Sequence, residues 1–301
     1  MAFHVVGWIL ALLLALWVGS LFASWAMEPI RRITEEVNRW DSHDFSRRLP
    51  EGEAQDEIHD LVQTFNRLFD RIEHSFEAQR RFVADASHEL KSPLTAIKGN
   101  LQLLERLDDA PPESRRDWTR LAGKEVNRLI RITSDLLDLA HVRGDDRPLN
   151  LGTLDWVRLG EEVTQSYPSI RLKPHSPLWI QGDEDRLRQV LINLLQNARR
   201  ATSERVLPSI LLEWDQTEEW AIMRVRDNGI GIPKEALPRL FDRFYRVDKS
   251  RSREQGGTGL GLSITQAIIE AHQGEIKVES EEGVGSTFEI RLPLDSHRDL
   301  S

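Results

Sequence analysis

The first pattern along the chain is an unbroken apolar run. "VVGWILALLLALWVGSLFASWAM", from Val5 to Met27, holds no charged residue; as a helix it is about 35 Å long, enough to span a bilayer. Trp8 and Trp25 lie near its ends, where aromatic belts sit. From Pro29 the apolar positions thin to helical spacing. Ile30, Ile33 and Val37 predict a short amphipathic helix with Pro29 tolerated in its first turn. "DSHDFSRRLPEGEAQ" breaks the period, punctuated by Pro50 and Gly52. Helical spacing resumes at "DEIHDLVQTFNRLFDRI" with Ile58, Leu61, Phe65, Leu68 and Ile72, and has no stop before about Leu107. Over its later part Val83, Ala86, Leu90, Leu94, Ile97, Leu101 and Leu104 recur at steps of three and four, the heptad seam of a helix packed on partner helices.

"DDAPPESRRD" predicts a turn, because consecutive prolines cannot continue a helix. A return helix follows, with Leu121, Val126, Leu129, Ile132, Leu136, Leu137 and Leu139 near heptad spacing, ending around Gly144. Two antiparallel helices cannot bury both apolar faces alone, and pairing two copies into a four-helix bundle solves that, so a homodimer is expected. "GDDRPLN" reads as a linker. Beyond it the signals alternate between types. "DEDRLRQVLINLLQNARRA" predicts a helix capped by Asp183, "SILLEWDQ" and "WAIMRVRDN" predict strands, "GLGLSITQAIIEAH" opens a helix after glycines, and "GEIKVESEEGVGSTFEIRLP" predicts a hairpin of two strands. This is a mixed α/β layer of helices over a sheet, large enough for its own core.

Composition narrows the class. The chain has 301 residues, 40% hydrophobic and 30% charged, which is globular. A formal net charge of −9 argues against a nucleic-acid binder, which carries a basic face. There is no cysteine, so disulfides, thiol catalysis and cysteine-ligated metal are excluded. Arg31, Arg32, Arg39, Arg47 and Arg48 follow the apolar run and no Lys or Arg precedes it. The positive-inside rule then places everything after Met27 in the cytoplasm, on a single-pass inner (cytoplasmic) membrane anchor. The alternative, a secretory signal peptide, is disfavoured by the length of the run and the absence of a basic residue before it. Only Met1–His4 precede the run, so either the chain is a fragment lacking an outer sensor domain or its input arrives through the membrane or a partner.

Four stretches carry candidate chemistry. In "FVADASHELKSPLTAI", His88 lies about 160° round the helix from Leu90 and faces away from the seam, with Pro93 five positions on. On "LINLLQNARR", Asn193 and Asn197 are one turn apart on one face, with Arg200 three further on. Their amide oxygens suit a hard cation such as Mg2+ held with nucleotide phosphates, or are surface amides. In "VRDNGIGIP", Asp227 ends a strand and Gly229 and Gly231 permit close backbone approach: a tight turn, or a carboxylate that accepts from an amino group such as adenine's. "GGTGLGLSI" puts Gly256, Gly257, Gly259 and Gly261 before a helix, where backbone N–H groups suit phosphates. It lacks the ending of a P-loop and does not follow a strand as a Rossmann turn does. "KEALPRLFDRFYRVDKSRSREQ" between the two glycine clusters has the composition of a mobile cover over a triphosphate.

In that order, "LINLLQNARRA", "VRDNGIGIP", "LFDRFYRVD" and "GGTGLGLSI" resemble the asparagine, first glycine, phenylalanine and second glycine boxes of sensor histidine kinases of two-component systems, and "ASHELKSPLTAI" resembles their phosphoacceptor box. The stretch from Pro29 to Ile72 resembles a HAMP signal relay, with its entry proline, "DEI" and "FN". The resemblance implies a multidomain chain: a transmembrane helix over 5–27, a HAMP-like relay over 28–75, a dimerisation and histidine phosphotransfer hairpin over 76–144, a linker over 145–152, an ATP-binding domain of the Bergerat fold over 153–294, and a tail over 295–301.

It also implies that His88 takes the γ-phosphoryl group of ATP and passes it to an aspartate of a response regulator receiver domain. Glu89 would bond the second imidazole nitrogen. Asn193, Asn197, Arg200, Asp227, Gly229, Gly231, Gly257, Gly259 and Gly261 would bind ATP, with Asn197 on Mg2+. Two departures stand out: Ser92 occupies the position where the family usually has Thr or Asn for dephosphorylating the partner, and Ala201 replaces an aromatic residue after Arg200. Three functions stay open: an autophosphorylating kinase, a scaffold that binds ATP and dimerises, and a membrane-anchored ATPase. Phosphate on the protein, none, or released phosphate alone tells them apart. The resemblance favours the first.

Overall fold

The computed structural model describes residues 2–39, 47–50, 57–106, 111–143, 149–173, 175–203, 205–247 and 257–295. It divides into two compact units, residues 1–84 and 85–301.

The first unit holds helix α1 (Ala2–Asn38) and the first half of helix α2 (Glu57–Arg106). The short helix expected to start at Pro29 is not separate: α1 is one helix from the apolar run through Val37. Proline removes one hydrogen bond to the carbonyl four residues back, but its fixed φ is itself helical, so a long helix carries it. Among the described residues no helix is long and apolar enough to cross a membrane. Much of the polar connector lies outside the described residues, but its residues 47–50 dock on α2. The Asn66 amide donates to the Leu49 carbonyl at 3.0 Å and accepts from the Leu49 N–H at 2.8 Å. Leu49 and Val62 are buried there, and Arg48 bridges Asp70 and Glu73. Asn66 is the asparagine of the "FN" pair, and its work is to satisfy both backbone groups of the returning chain.

In the second unit α2 continues through Pro93, which is buried, to Arg106. Part of the expected turn, residues 107–110, lies outside the described residues, and helix α3 (Pro112–Arg143) begins at the second proline. The α/β domain follows. Strands β1 (Gly152–Asp155) and β3 (Trp179–Gly182) form an antiparallel pair. Strands β2 (Ile170–Leu172), β4 (Ile210–Gln216), β5 (Trp220–Asp227), β6 (Glu275–Glu281) and β7 (Gly285–Pro293) form a five-stranded sheet in the order β2-β4-β5-β7-β6, with only the β2-β4 pair parallel. Alternation sets the faces: Ile210, Leu212 and Trp214, then Phe288, Ile290 and Leu292, point into the core. Helices α4 (Trp156–Thr164), α5 (Glu184–Ala201) and α6 (Gly261–Ala271) supply the second layer.

The expected strands, hairpin and two helices are present within a residue or two of their sequence bounds. The sequence pattern did not reveal α4, β1, β2 and β3. "SYPSIRLKPHSPLWIQGD" holds two of those strands, yet β2 is three residues long with only Ile170 buried, too short for alternation to register.

Asp155 organises this corner. Its Oδ1 accepts from the N–H groups of Val157 and Arg158, capping α4, and from Leu178 ahead of β3 at 3.2 Å. Asp155→Ala removes the cap and strands the Leu178 N–H, so it should cost about 2–3 kcal/mol. The check is a drop in the urea midpoint of the α/β domain's transition with unchanged slope.

Candidate active site

Helix α5 presents the asparagines. Asp183 caps it through the Arg186 N–H at 3.1 Å. The Asp183 N–H in turn donates to His272 Nε2 at 2.9 Å, while His272 Nδ1–H donates to the Ile268 carbonyl at 2.7 Å. That pair of bonds selects the Nδ1–H tautomer of a buried imidazole whose pKa burial pushes down. His272 thus ties the end of α6 to the start of α5, a role its sequence context did not suggest. On the far turns Asn193 Nδ2–H donates to the Gly261 carbonyl at 3.2 Å, leaving its side-chain oxygen available, and Arg200 donates weakly to Asn197 Oδ1 at 3.4 Å.

Asp227 ends β5 and is buried. Burial pushes its pKa up, against hydrogen bonds from the Gly229 and Ser286 N–H groups that favour the carboxylate. The Gly229 bond is 2.8 Å long, and Arg205 holds the Gly229 carbonyl at 2.6 Å. Gly231 has φ +70°, and a Cβ there would run into the Glu281 carbonyl. Gly259 has φ +76°, and a Cβ there would lie 2.8 Å from the Phe244 backbone. Phe244 N–H donates to the Gly259 carbonyl at 2.9 Å, and Arg246 donates to the Gly257 carbonyl, so "RFYR" and the second glycine cluster are stitched together. The charged half of the expected cover, residues 248–255, lies outside the described residues, as does Gly256 of the glycine cluster.

These elements enclose a cavity of about 410 Å³, within the range of small-molecule sites. Asn193, Asn197, Arg200, Asp227, Gly231, Gly257, Gly259 and Gly261 line it; Gly229 stands behind, packed on Ala201. Sequence reading missed Thr258, Tyr245 and Arg246, which lie inside the quoted boxes, and Ser286 and Phe288 of β7. It also missed Arg131 and Asp135, which reach the cavity from α3.

His88 is exposed on α2, and Ser92, one turn on, is half-buried. Glu89 Oε2 accepts from Arg128 Nη2 at 2.8 Å and lies 3.6 Å from Arg246 Nη2. Both guanidinium side chains are only 6% exposed, so these are desolvated pairs. The structure therefore engages Glu89 with Arg128 and Arg246. Further down α3, Thr258 donates to Asp135 Oδ2 at 2.6 Å, and Arg186 and Gln189 donate to Asp138 at 2.9 and 2.7 Å.

Residues 182–296 match the histidine kinase-, DNA gyrase B- and HSP90-like ATPases, residues 78–144 the His Kinase A (phospho-acceptor) domain, and residues 21–74 the HAMP domain. Over 97% of its length the chain is 36% identical to the probable sensor histidine kinase TcrY of Mycobacterium tuberculosis, and covers 65% of it. Over 95% it is 32% identical to the signal transduction histidine-protein kinase ArlS of Staphylococcus epidermidis, and covers 64% of it. The chain thus spans just under two thirds of these curated relatives.

Two solved structures share the fold. Acinetobacter baumannii histidine kinase AdeS matches with a TM-score of 0.53 and 24% identity, over 69% of this chain and 98% of that one. Histidine kinase ThkA in complex with response regulator protein TrrA matches with a TM-score of 0.58 and 24% identity, over 74% and 66%. A phosphoacceptor-type helical hairpin followed by an ATP-binding α/β domain defines a histidine-kinase architecture. The chain belongs to the sensor histidine kinases of two-component systems.

The raised pKa of Asp227 makes a stability prediction. Its folded value lies above the unfolded one, so its contribution falls as pH rises through the folded value. Asp227→Asn should therefore melt higher than the parent at neutral pH. The gain should vanish below the ordinary carboxylate range, where the parent's carboxyl is protonated in both states. Melting curves of parent and variant across pH measure this.

Proposed function

We propose that the chain is a membrane-anchored, homodimeric protein-histidine kinase that autophosphorylates His88 with ATP and transfers the phosphoryl group to an aspartate of a response regulator. The observation that carries this reading is an exposed histidine on a hairpin helix joined, in the same compact unit, to a cavity that gathers two asparagines, a buried aspartate and glycine turns.

The donor set fits nucleotide and metal. Asp227 can accept from an exocyclic amine, Gly261 and Leu262 bring the N-terminus of α6 to the cavity wall, where backbone N–H groups suit phosphates, and Arg200 adds a cation. Mg2+ bound with phosphates needs one or two protein oxygens, which Asn193 and Asn197 can supply, and it neutralises charge on the transferring group. His88 offers an unprotonated ring nitrogen that forms the N–P bond as the bond to the departing ADP breaks, leaving a cationic ring whose remaining proton a neighbouring carboxylate can take. Glu89 is that carboxylate once freed from Arg128. The Ser92 hydroxyl, one turn from His88, is the group that can orient water for dephosphorylating the partner.

The anchor rests on the uncharged run Val5–Met27 inside α1, whose Trp8, Leu12, Leu13, Leu16 and Trp17 are exposed, and on the arginines that follow. The unburied seam residues Leu94, Leu101, Leu121 and Leu137 support a second copy in a four-helix bundle. The relay, hairpin and ATP-binding regions are read as 28–75, 76–144 and 153–294.

With labelled ATP and Mg2+, the parent should acquire acid-labile, base-stable phosphate. His88→Gln should acquire none while its ATP affinity stays within about twofold, since the residue lies outside the cavity; label retained on that variant defeats the assignment. For Asn197→Ala, loss of one charge-assisted metal contact should weaken ATP binding about tenfold with Mg2+ and little in EDTA. Equal weakening in both conditions would make Asn197 a packing residue. Isothermal titration reads it.

A further inference from the structure

The cavity has a wall that the ATP-binding domain does not supply. Arg131 and Asp135, four apart on one face of α3, both line it, together with Arg200 of α5. Arg131 is exposed and has no hydrogen bond or ion pair among the described residues. Arg200 is half-buried, and burial, followed by repulsion from Arg131, pushes its pKa down. Asp135, which lines the cavity beside them, is already held by Thr258 at 2.6 Å. Arg246, the third arginine of the lining, is engaged with the Gly257 carbonyl and Glu89, which leaves Arg131 and Arg200 as neighbouring cations whose repulsion an anionic ligand relieves. The same stripe of α3, one turn on, carries Asp138, whose bonds to Arg186 and Gln189 seat the helix against α5.

We infer that Arg131 is a nucleotide-binding residue contributed by the phosphoacceptor hairpin, pairing with the phosphate chain of the bound nucleotide while the ATP-binding domain rests on α3. The inference deepens the reading of the cavity as an ATP site and rests on it. Linkage follows: if docking supplies a phosphate contact, bound ATP must favour the docked arrangement by the same factor. Phosphate occupancy is thereby reported to the helix pair that carries His88.

The test uses the full chain in detergent micelles, with ATP and adenosine as separate probes in calorimetry. Arg131→Gln should raise the ATP dissociation constant about three- to tenfold, the range of an exposed charge-assisted contact, and leave adenosine unchanged. Arg131→Lys should recover most of the affinity. Asp135→Asn should act in the opposite direction, tightening ATP about two- to threefold by removing a competing charge. Parental ATP affinity in Arg131→Gln overturns the inference, as does an equal loss for adenosine, which marks a packing effect. A parent that binds neither probe overturns the nucleotide reading of the cavity as well.

Discussion

Leu187, Val190, Leu191, Leu194, Leu195 and Ala198 are buried along one stripe of α5, and a helix of 18 residues with that stripe in the core cannot rotate without exposing it. Burying those side chains contributes roughly 1.5–3 kcal/mol each before entropy is counted. The opposite face is aimed as a consequence. Asn193, Asn197 and Arg200 point into the cavity because their neighbours cannot leave the core. The tie from His272 to Asp183 sets the axial position of the same helix, and the Asn193 bond to Gly261 sets its distance from α6. The cavity is thus a by-product of apolar packing, finished by a few hydrogen bonds.

The contacts between α3 and the α/β domain have a different character. They include polar pairs, Asp135 with Thr258 and Asp138 with Arg186 and Gln189, and Glu89 of α2 adds a pairing with Arg246. Polar interfaces of this kind suit domains that separate and rejoin, since each group finds water when it leaves. Arg246 also holds the Gly257 carbonyl, so one side chain touches both the carboxylate beside His88 and the glycine turn of the cavity. A change at either place is felt at the other through one guanidinium. In the docked arrangement His88 stays exposed while its neighbour Glu89 is engaged by Arg128 and Arg246.

Much of this was legible in the residues alone wherever chemistry is local. Heptad spacing specified α2 and α3, and the absence of His88 from the seam specified its exposure. Alternation specified β4 to β7, and Asp183 announced the start of α5. Glycines at Gly231 and Gly259 stood where left-handed backbone was needed. The order of these signals was enough to identify the family.

What the tertiary structure decided concerns groups brought together from distant parts of the chain. Arg131 and Asp135 carry no local signal, because on α3 they are ordinary polar positions of an amphipathic helix; only docking makes them part of the cavity wall. The pairing of Glu89 with Arg128 spans 39 positions, and that of Asp135 with Thr258 spans 123. The short strands β1 to β3 exist because the rest of the domain offers them edges, not because their own sequence insists. Periodicity and backbone constraint act over a turn or a pleat and are written in neighbouring residues. Electrostatic pairing and cavity shape depend on which surfaces meet, and that is known only once the chain has folded.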